Sequence, residues 1–404
     1  MGSVSITNVL VIGAGAAGIA AARTLHDAGR DVLVIEARDH IGGRAVTWSH
    51  GDMRFDLGCG WLHSARRNPW TAIAKARGFT IATDTARWDA QWHDLGFPPA
   101  ERRAFADAYD AFEARARAGA DGPDRPLSDF IDPTDRWAER LEAISGYVNG
   151  AALADTSLHD WLAYDNAAGE EDWSVREGYG SLVADHARDL TIRTGIVAIR
   201  VDHRGARIRV VTSAGTIEAG TLIVAVPTTV LAEERLTFDP PLPDKHVAAA
   251  ALPLGLADKV FLAVDAPVWE AEAHLVGNPA DRRTGSYRLS PYGWPAIEGF
   301  FGGDGAKAVE RDGAAFAIEE LVALLGSDWR ARLHPLRVTR WSQEPWIGGS
   351  YSHARVGHAD ARATLVEPID DRLFFAGEAC SRTDFSTAHG AYETGVAAAR
   401  AILG

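Results

Sequence analysis

The chain has 404 residues, 47% of them hydrophobic and 24% charged, a make-up that excludes a wholly disordered chain and a length that exceeds one hydrophobic core. Acidic residues outnumber basic ones 55 to 41, and the resulting net charge of −14 argues against a nucleic-acid-binding surface while suiting a cationic small substrate. Two cysteines, Cys59 and Cys380, leave no disulfide framework and no cysteine-based zinc site, and the scattered histidines show no metal-ligand spacing.

In chain order, residues 8–12 predict a buried strand, 13–18 a glycine turn, 16–28 a helix closed by Gly29, and 31–35 a second buried strand ending at Glu36. This is a β-α-β unit. The apolar stretch 9–22 is broken by Gly13, Gly15 and Gly18 and lacks the basic flank of a secretory signal. Neither a leader nor a membrane span is expected, and the expected location is cytoplasmic. Residues 66–180 read mostly as helices and loops. Asn68-Pro69 forms an N-cap followed by a first-turn proline, 99–118 is a helix with Phe105, Tyr109 and Phe112 on one side, and 121–133 is a loop. A short helix is expected at 182–190, then strands at 195–203, 206–213 and 216–226, ended by Pro227 and followed by a proline crossover at 240–243. Strands at 258–264 and 296–301, a helix at 314–325, strands at 336–341 and 373–376, and a terminal helix at 387–403 complete the pattern.

Gly13, Gly15 and Gly18 fit G-x-G-x-x-G between a strand and a helix, and Glu36 follows the last glycine at the distance of a ribose-binding carboxylate. Free N–H groups at the helix start suit a pyrophosphate. These features do not distinguish NAD from FAD. Three further segments favour FAD. Gly42-Gly43-Arg44 suits a loop over the same pyrophosphate. The strand before Gly377-Glu378 suits a ribityl chain, and the terminal helix from Thr387 suits the flavin edge that gains charge on reduction.

With these segments the chain resembles the FAD-dependent amine oxidases, a group that includes monoamine oxidases, polyamine oxidases and lysine-specific histone demethylases. The resemblance is carried by Val11 to Gly18, Glu36, Gly42-Gly43-Arg44 and Phe55 to Gly58 with Trp61 and His63. It continues through Asp258 to Leu262, Arg340-Trp341, Gly349 to Ser352, Phe375 to Glu378 and His389 to Gly395. It implies an α/β fold in which a Rossmann-like FAD-binding domain is assembled from residues 1–75, 181–245 and 336–404. An α+β substrate-binding domain is then inserted as residues 76–180 and 246–335. Gly58, Trp61 and Trp341 are implied to border the cofactor, and Val197 to contact adenine through its backbone.

Lys259 lies in an apolar strand. Its stem is either buried with the amine reaching solvent, or, as the resemblance implies, the amine holds a water against flavin N5. His63 is either a loop histidine bonded to backbone or, as in resembling polyamine oxidases, a group beside the substrate amine. The two cage positions that many relatives fill with aromatic residues fall on His353 and Thr387, and Trp341, Trp346 and Tyr351 are other candidate pocket walls. Ser350 stands where covalent-flavin relatives carry cysteine, so FAD is expected to be non-covalent.

The implied reaction is oxidation of a C–H next to nitrogen, with oxygen as acceptor, giving an imine and hydrogen peroxide. The implied partners are a small-molecule amine and oxygen, with no nucleic acid and no membrane; an assembly of identical chains is compatible with the sequence. Three rivals remain: an L-amino-acid oxidase, which requires an arginine for the carboxylate; a desaturase or dehydrogenase of an apolar substrate; and a non-catalytic flavoprotein.

Overall fold

The computed structural model describes residues 4–83, 87–88 and 90–404. The opening strand, Val4–Ile12, is apolar along its second half because that half is central: it pairs in parallel with Gly215–Val224 on one side and Val32–Ile35 on the other. Successive side chains alternate between faces, and both faces are covered, so Leu10 and Val11 are each 0% exposed. The eight-stranded sheet runs Thr237–Asp239, Ala198–Asp202, Ile208–Thr212, Gly215–Val224, Val4–Ile12, Val32–Ile35, Ile192–Arg193, with Leu373–Phe375 paired in parallel to Gly215–Val224. One face packs on the helices Ala16–Asp27, Tyr179–His186 and Ala388–Leu403, and the other on Thr228–Ala232, Pro243–Ala251 and Ala361–Val366. This is the Rossmann-like α/β fold expected.

A second, five-stranded antiparallel sheet runs Ala273–Val276, Ser286–Leu289, Ala296–Gly302, Ala257–Val264, Leu333–Val338. Val260, Leu262 and Ile297 point to one face, where the helices Asp304–Asp312 and Ala314–Leu325 cover them. Lys259 and Phe261 point to the other, which looks back toward the first sheet. A smaller helical core around Phe112, Leu141 and Trp161 closes the remaining side. Among the described residues, no helix is long and apolar enough to cross a membrane.

Several expected elements move. The helix expected at 182–190 is Tyr179–His186, because the distant Asp56 carboxylate caps it by accepting from Tyr179 N at 2.8 Å and Gly180 N at 3.0 Å. The strand expected at 336–341 is Leu333–Val338, and Trp341 lies in a turn because its N–H donates to Asp258 at 3.1 Å. The described part of residues 66–180 is mostly helices and loops, as expected, with two short strands, Ile81–Ala82 and Trp173–Val175, that form a small sheet with Trp61–Leu62. Two elements cross the expected domain limits. Pro243–Ala251 packs entirely on the first sheet, and Leu333–Val338 belongs to the second.

Candidate active site

Between the two sheets lies a cavity of about 960 Å³, bordered at one end by Gly13, Gly15 and Glu36 and at the other by Lys259, Glu298 and Phe300. The first end follows from the glycine turn. Gly13 has φ +102°, and a Cβ there would sit 2.3 Å from the Ala225 carbonyl oxygen. Gly18 does not border the cavity. It lets helix and strand close up, since its Cβ would lie 1.9 Å from the Gly13 oxygen. Gly15 is different, because among the described residues beyond its chain neighbours a Cβ there would approach just the Gly43 Cα, at 3.8 Å. That Cβ would occupy the cradle between two glycine loops, where a pyrophosphate fits. The Glu36 carboxylate is held by Ala14 N at 2.8 Å and Arg38 N at 2.9 Å, and its remaining lone pairs are available to ribose hydroxyls.

Further along, Arg44 borders the cavity, pairs with Glu378 at 3.0 Å and donates to the Ser350 carbonyl. Burial alone would raise the Glu378 pKa, but Arg44 and the Ser352 hydroxyl outweigh it and hold the carboxyl below its ordinary range. Gly377, Gly58 and Trp341 also border the cavity, and the Trp341 indole N–H donates to the Leu57 carbonyl at 3.3 Å. Thr387 caps the terminal helix by accepting from Gly390 N at 3.0 Å, so the helix N-terminus opens on the cavity through Thr387, Ala388 and Ala391. Val197 borders it as well. Its backbone N–H already donates to the Ser213 hydroxyl at 3.0 Å and its carbonyl already accepts from Ser213 N, so only the carbonyl's second lone pair remains for adenine. Residues sequence reasoning missed here include Arg38, which donates to Gly43 O at 2.6 Å and so braces the glycine loop.

At the other end, Lys259 is 5% exposed, and its Nζ lies 2.6 Å from Glu298 and 2.9 Å from the Asp56 carbonyl. The amine does not reach solvent; it is paired within the cavity wall. His63 projects from the short strand Trp61–Leu62 and its neighbouring turn, with Nδ1 2.6 Å from Asp172. Which ring nitrogen carries a proton follows from this pair: the carboxylate can only accept, so Nδ1 donates and Nε2 is the free position. Trp61 packs edge-on against Trp88 at 5.3 Å and lies beneath the Arg288 guanidinium at 5.1 Å. Glu298 and Asp172 carried no sequence signal, because each is made functional only by a partner far along the chain.

The candidate pocket walls divide. Tyr351 borders the cavity near this end, with its hydroxyl donating to the Tyr147 carbonyl. Trp346 borders it at the dinucleotide end, beside residues tied to Thr229 and Arg235, and so does not stand with Lys259 and His63. His353 does not border it at all. After Ser352 the chain turns toward Asp160, which accepts from Ala354 N at 2.8 Å, and His353 is left buried with its pKa pushed down to about 4 by burial. Both cysteines border the cavity as protonated thiols, each pushed up to about 12 by burial.

Residues 98–403 match the family described as flavin containing amine oxidoreductase, and residues 11–76 match the NAD(P)-binding Rossmann-like domain. The chain is 32% identical to polyamine oxidase 2 of Arabidopsis thaliana, over 97% of this chain and 87% of the relative. It is 27% identical to lysine-specific histone demethylase 1 homolog 2 of the same plant, over 98% of this chain and 58% of the relative. A solved putrescine oxidase structure, described as wild type bound to putrescine, superimposes with a TM-score of 0.80 at 19% identity, covering 99% of this chain and 100% of its own.

Proposed function

The chain belongs to the flavin containing amine oxidoreductases and is an FAD-dependent amine oxidase acting on a small-molecule amine, and we propose the following roles for its cavity. The carrying observation is a buried, paired lysine on the wall of a cavity that continues into a dinucleotide cradle. Bound there without a covalent link, FAD would supply a two-electron sink for the C–H next to nitrogen, and with oxygen as acceptor the products would be an imine and hydrogen peroxide.

The chain's own residues hold, orient and move protons. Gly15 and Gly43 leave room for the pyrophosphate, Glu36 takes the ribose, and Arg44 with Glu378 lies along the linking chain. Gly58, Trp61, Trp341 and Thr387 border the cofactor's path from the second end. Lys259, fixed by Glu298 and the Asp56 carbonyl, positions a water at the reacting face. His63 takes the proton of a cationic amine at Nε2, because Asp172 holds Nδ1–H and stabilises the charge that results. Buried, protonated Cys59 and Cys380, with serine at position 350, supply no thiolate for covalent attachment.

The test is a panel of primary, secondary, poly- and amino-acid amines offered to the yellow protein without oxygen. Flavin bleaching by amines, followed by peroxide on adding air, is expected, and acid precipitation should release FAD into the supernatant. Failure of every nitrogen compound to bleach the flavin refutes the reading.

A further inference from the structure

Six arginines border the cavity. Five have a carboxylate partner: Arg38 with Glu344, Arg44 with Glu378, Arg102 with Asp94, Arg235 with Glu233, and Arg288 with Glu272. Arg140 has none among the described residues. It is 5% exposed, and its Nε and Nη1 are sealed from solvent without a hydrogen-bond partner. An arginine is rarely buried unless paired, because its charge loses hydration and gains nothing in return.

The surroundings hold the guanidinium but do not neutralise it. The Phe105 ring lies 5.6 Å away and the Tyr147 ring 5.8 Å away, and aromatic faces attract a cation without taking its charge. The Tyr147 hydroxyl donates to the Thr284 carbonyl at 2.6 Å, and its pKa is pushed up to about 12 by burial, so it offers no anion. The adjacent Glu139 is engaged with Arg282, and Glu142 accepts from Leu153 N.

Arg140 also has a defined place relative to Lys259. Lys259 pairs across the second sheet with Phe300, the Phe300 ring lies 5.9 Å from the Tyr147 ring, and Tyr147 adjoins Arg140. Two aromatic rings therefore separate the lysine from the arginine. We infer that Arg140 anchors an anionic group of the substrate, so that the preferred amine carries a carboxylate several bonds from the carbon that is oxidised. An α-amino acid, whose carboxylate sits on the reacting carbon, does not span this gap. The inference rests on the reading above, that the amine reacts at the Lys259 end.

The experiment uses the holoenzyme with three amines of one chain length: hexylamine, hexamethylenediamine and ε-aminocaproate. Hexanoate, which cannot be oxidised at nitrogen, serves as a binding probe read by the spectrum of the bound flavin and by thermal shift. The expected result is tightest binding and most efficient anaerobic flavin reduction with ε-aminocaproate. In Arg140→Gln, the Kd for hexanoate and ε-aminocaproate should rise by at least about tenfold more than that for hexylamine, the scale of one lost charge-assisted hydrogen-bond pair. Arg140→Lys keeps the charge without the fork and should fall between. Hexanoate leaving both spectrum and melting temperature untouched would overturn the inference, as would equal losses for all three amines in Arg140→Gln. If hexanoate binding depends on Arg140 while no amine bleaches the flavin, the anion site stands and the amine-oxidation reading falls.

Discussion

Replacing Lys259 by methionine separates what the lysine does for stability from what it does for chemistry. The pair it leaves is buried, with side-chain exposures of 7% for Lys259 and 14% for Glu298, so solvent screens it little. Removing the ammonium strands the Glu298 carboxylate and takes a donor from the Asp56 carbonyl. Losing one partner of a buried pair costs on the order of 3–5 kcal/mol. With an unfolding entropy of about 2.1 cal/mol/K per residue over 404 residues, each kcal/mol shifts the midpoint by about 1.2 °C, so the melting temperature should fall by ~4–6 °C. FAD should remain bound, because the cradle at Gly15 and Gly43 is untouched. Adding Glu298→Gln removes the stranded charge and should recover most of that stability. It should not recover chemistry: in both variants flavin reoxidation should be at least about tenfold slower, the ~1.4 kcal/mol scale of one lost transition-state interaction. Thermal melts and stopped-flow reoxidation of the two single variants and the double variant form the cycle. Reoxidation at the parent rate in Lys259→Met would reduce the lysine to a structural ion pair. Reoxidation restored together with stability in the double variant would refute the claim that the two roles are separable.

Gly15→Leu should give a folded but largely colourless protein, since a Cβ there stays 3.8 Å from the facing Gly43 Cα while the rest of the leucine fills the cofactor cradle; full yellow colour at the parent melting temperature would count against the site. Flavin reduction by a primary amine should rise with pH, and His63→Ala and Asp172→Asn should each displace that limb, whereas identical profiles would remove the pair from proton transfer. His186 is buried with neither ring nitrogen bonded, and its pKa is pushed down from 6.5 to about 4 by burial, then by Arg23 and Arg77. The unfolded chain binds this proton first, so stability is full above pH 6.5 and falls toward pH 4, by up to about 3 kcal/mol at about 1.4 kcal/mol per pH unit. His186→Phe keeps the ring packed on Trp70 and should flatten that part of the acid limb in melts taken across the window; an unchanged slope would remove His186 from it.

The family was legible as a resemblance carried by motif blocks along the whole chain, and the sequence by itself determined the first β-α-β unit and its glycine turn. These rest on local rules: a continuous apolar run for a strand covered on both faces, glycines where the backbone must turn or be approached, and a carboxylate at the end of the next strand. The exact limits of the helices Pro99–Ala118 and Ala314–Leu325 were likewise legible, because proline, glycine and apolar periodicity act within a few residues. Tertiary structure alone decided what long-range partners decide. Asp56 caps a helix more than a hundred residues away, Asp258 pulls Trp341 out of its strand, and Asp160 turns His353 away from the cavity it was expected to line. Lys259 and His63 stood out in the sequence, but Glu298 and Asp172, which hold them, did not. Arg140 was one arginine among many until the fold buried it without a carboxylate, because the cost of an unpaired charge exists only once water has been removed.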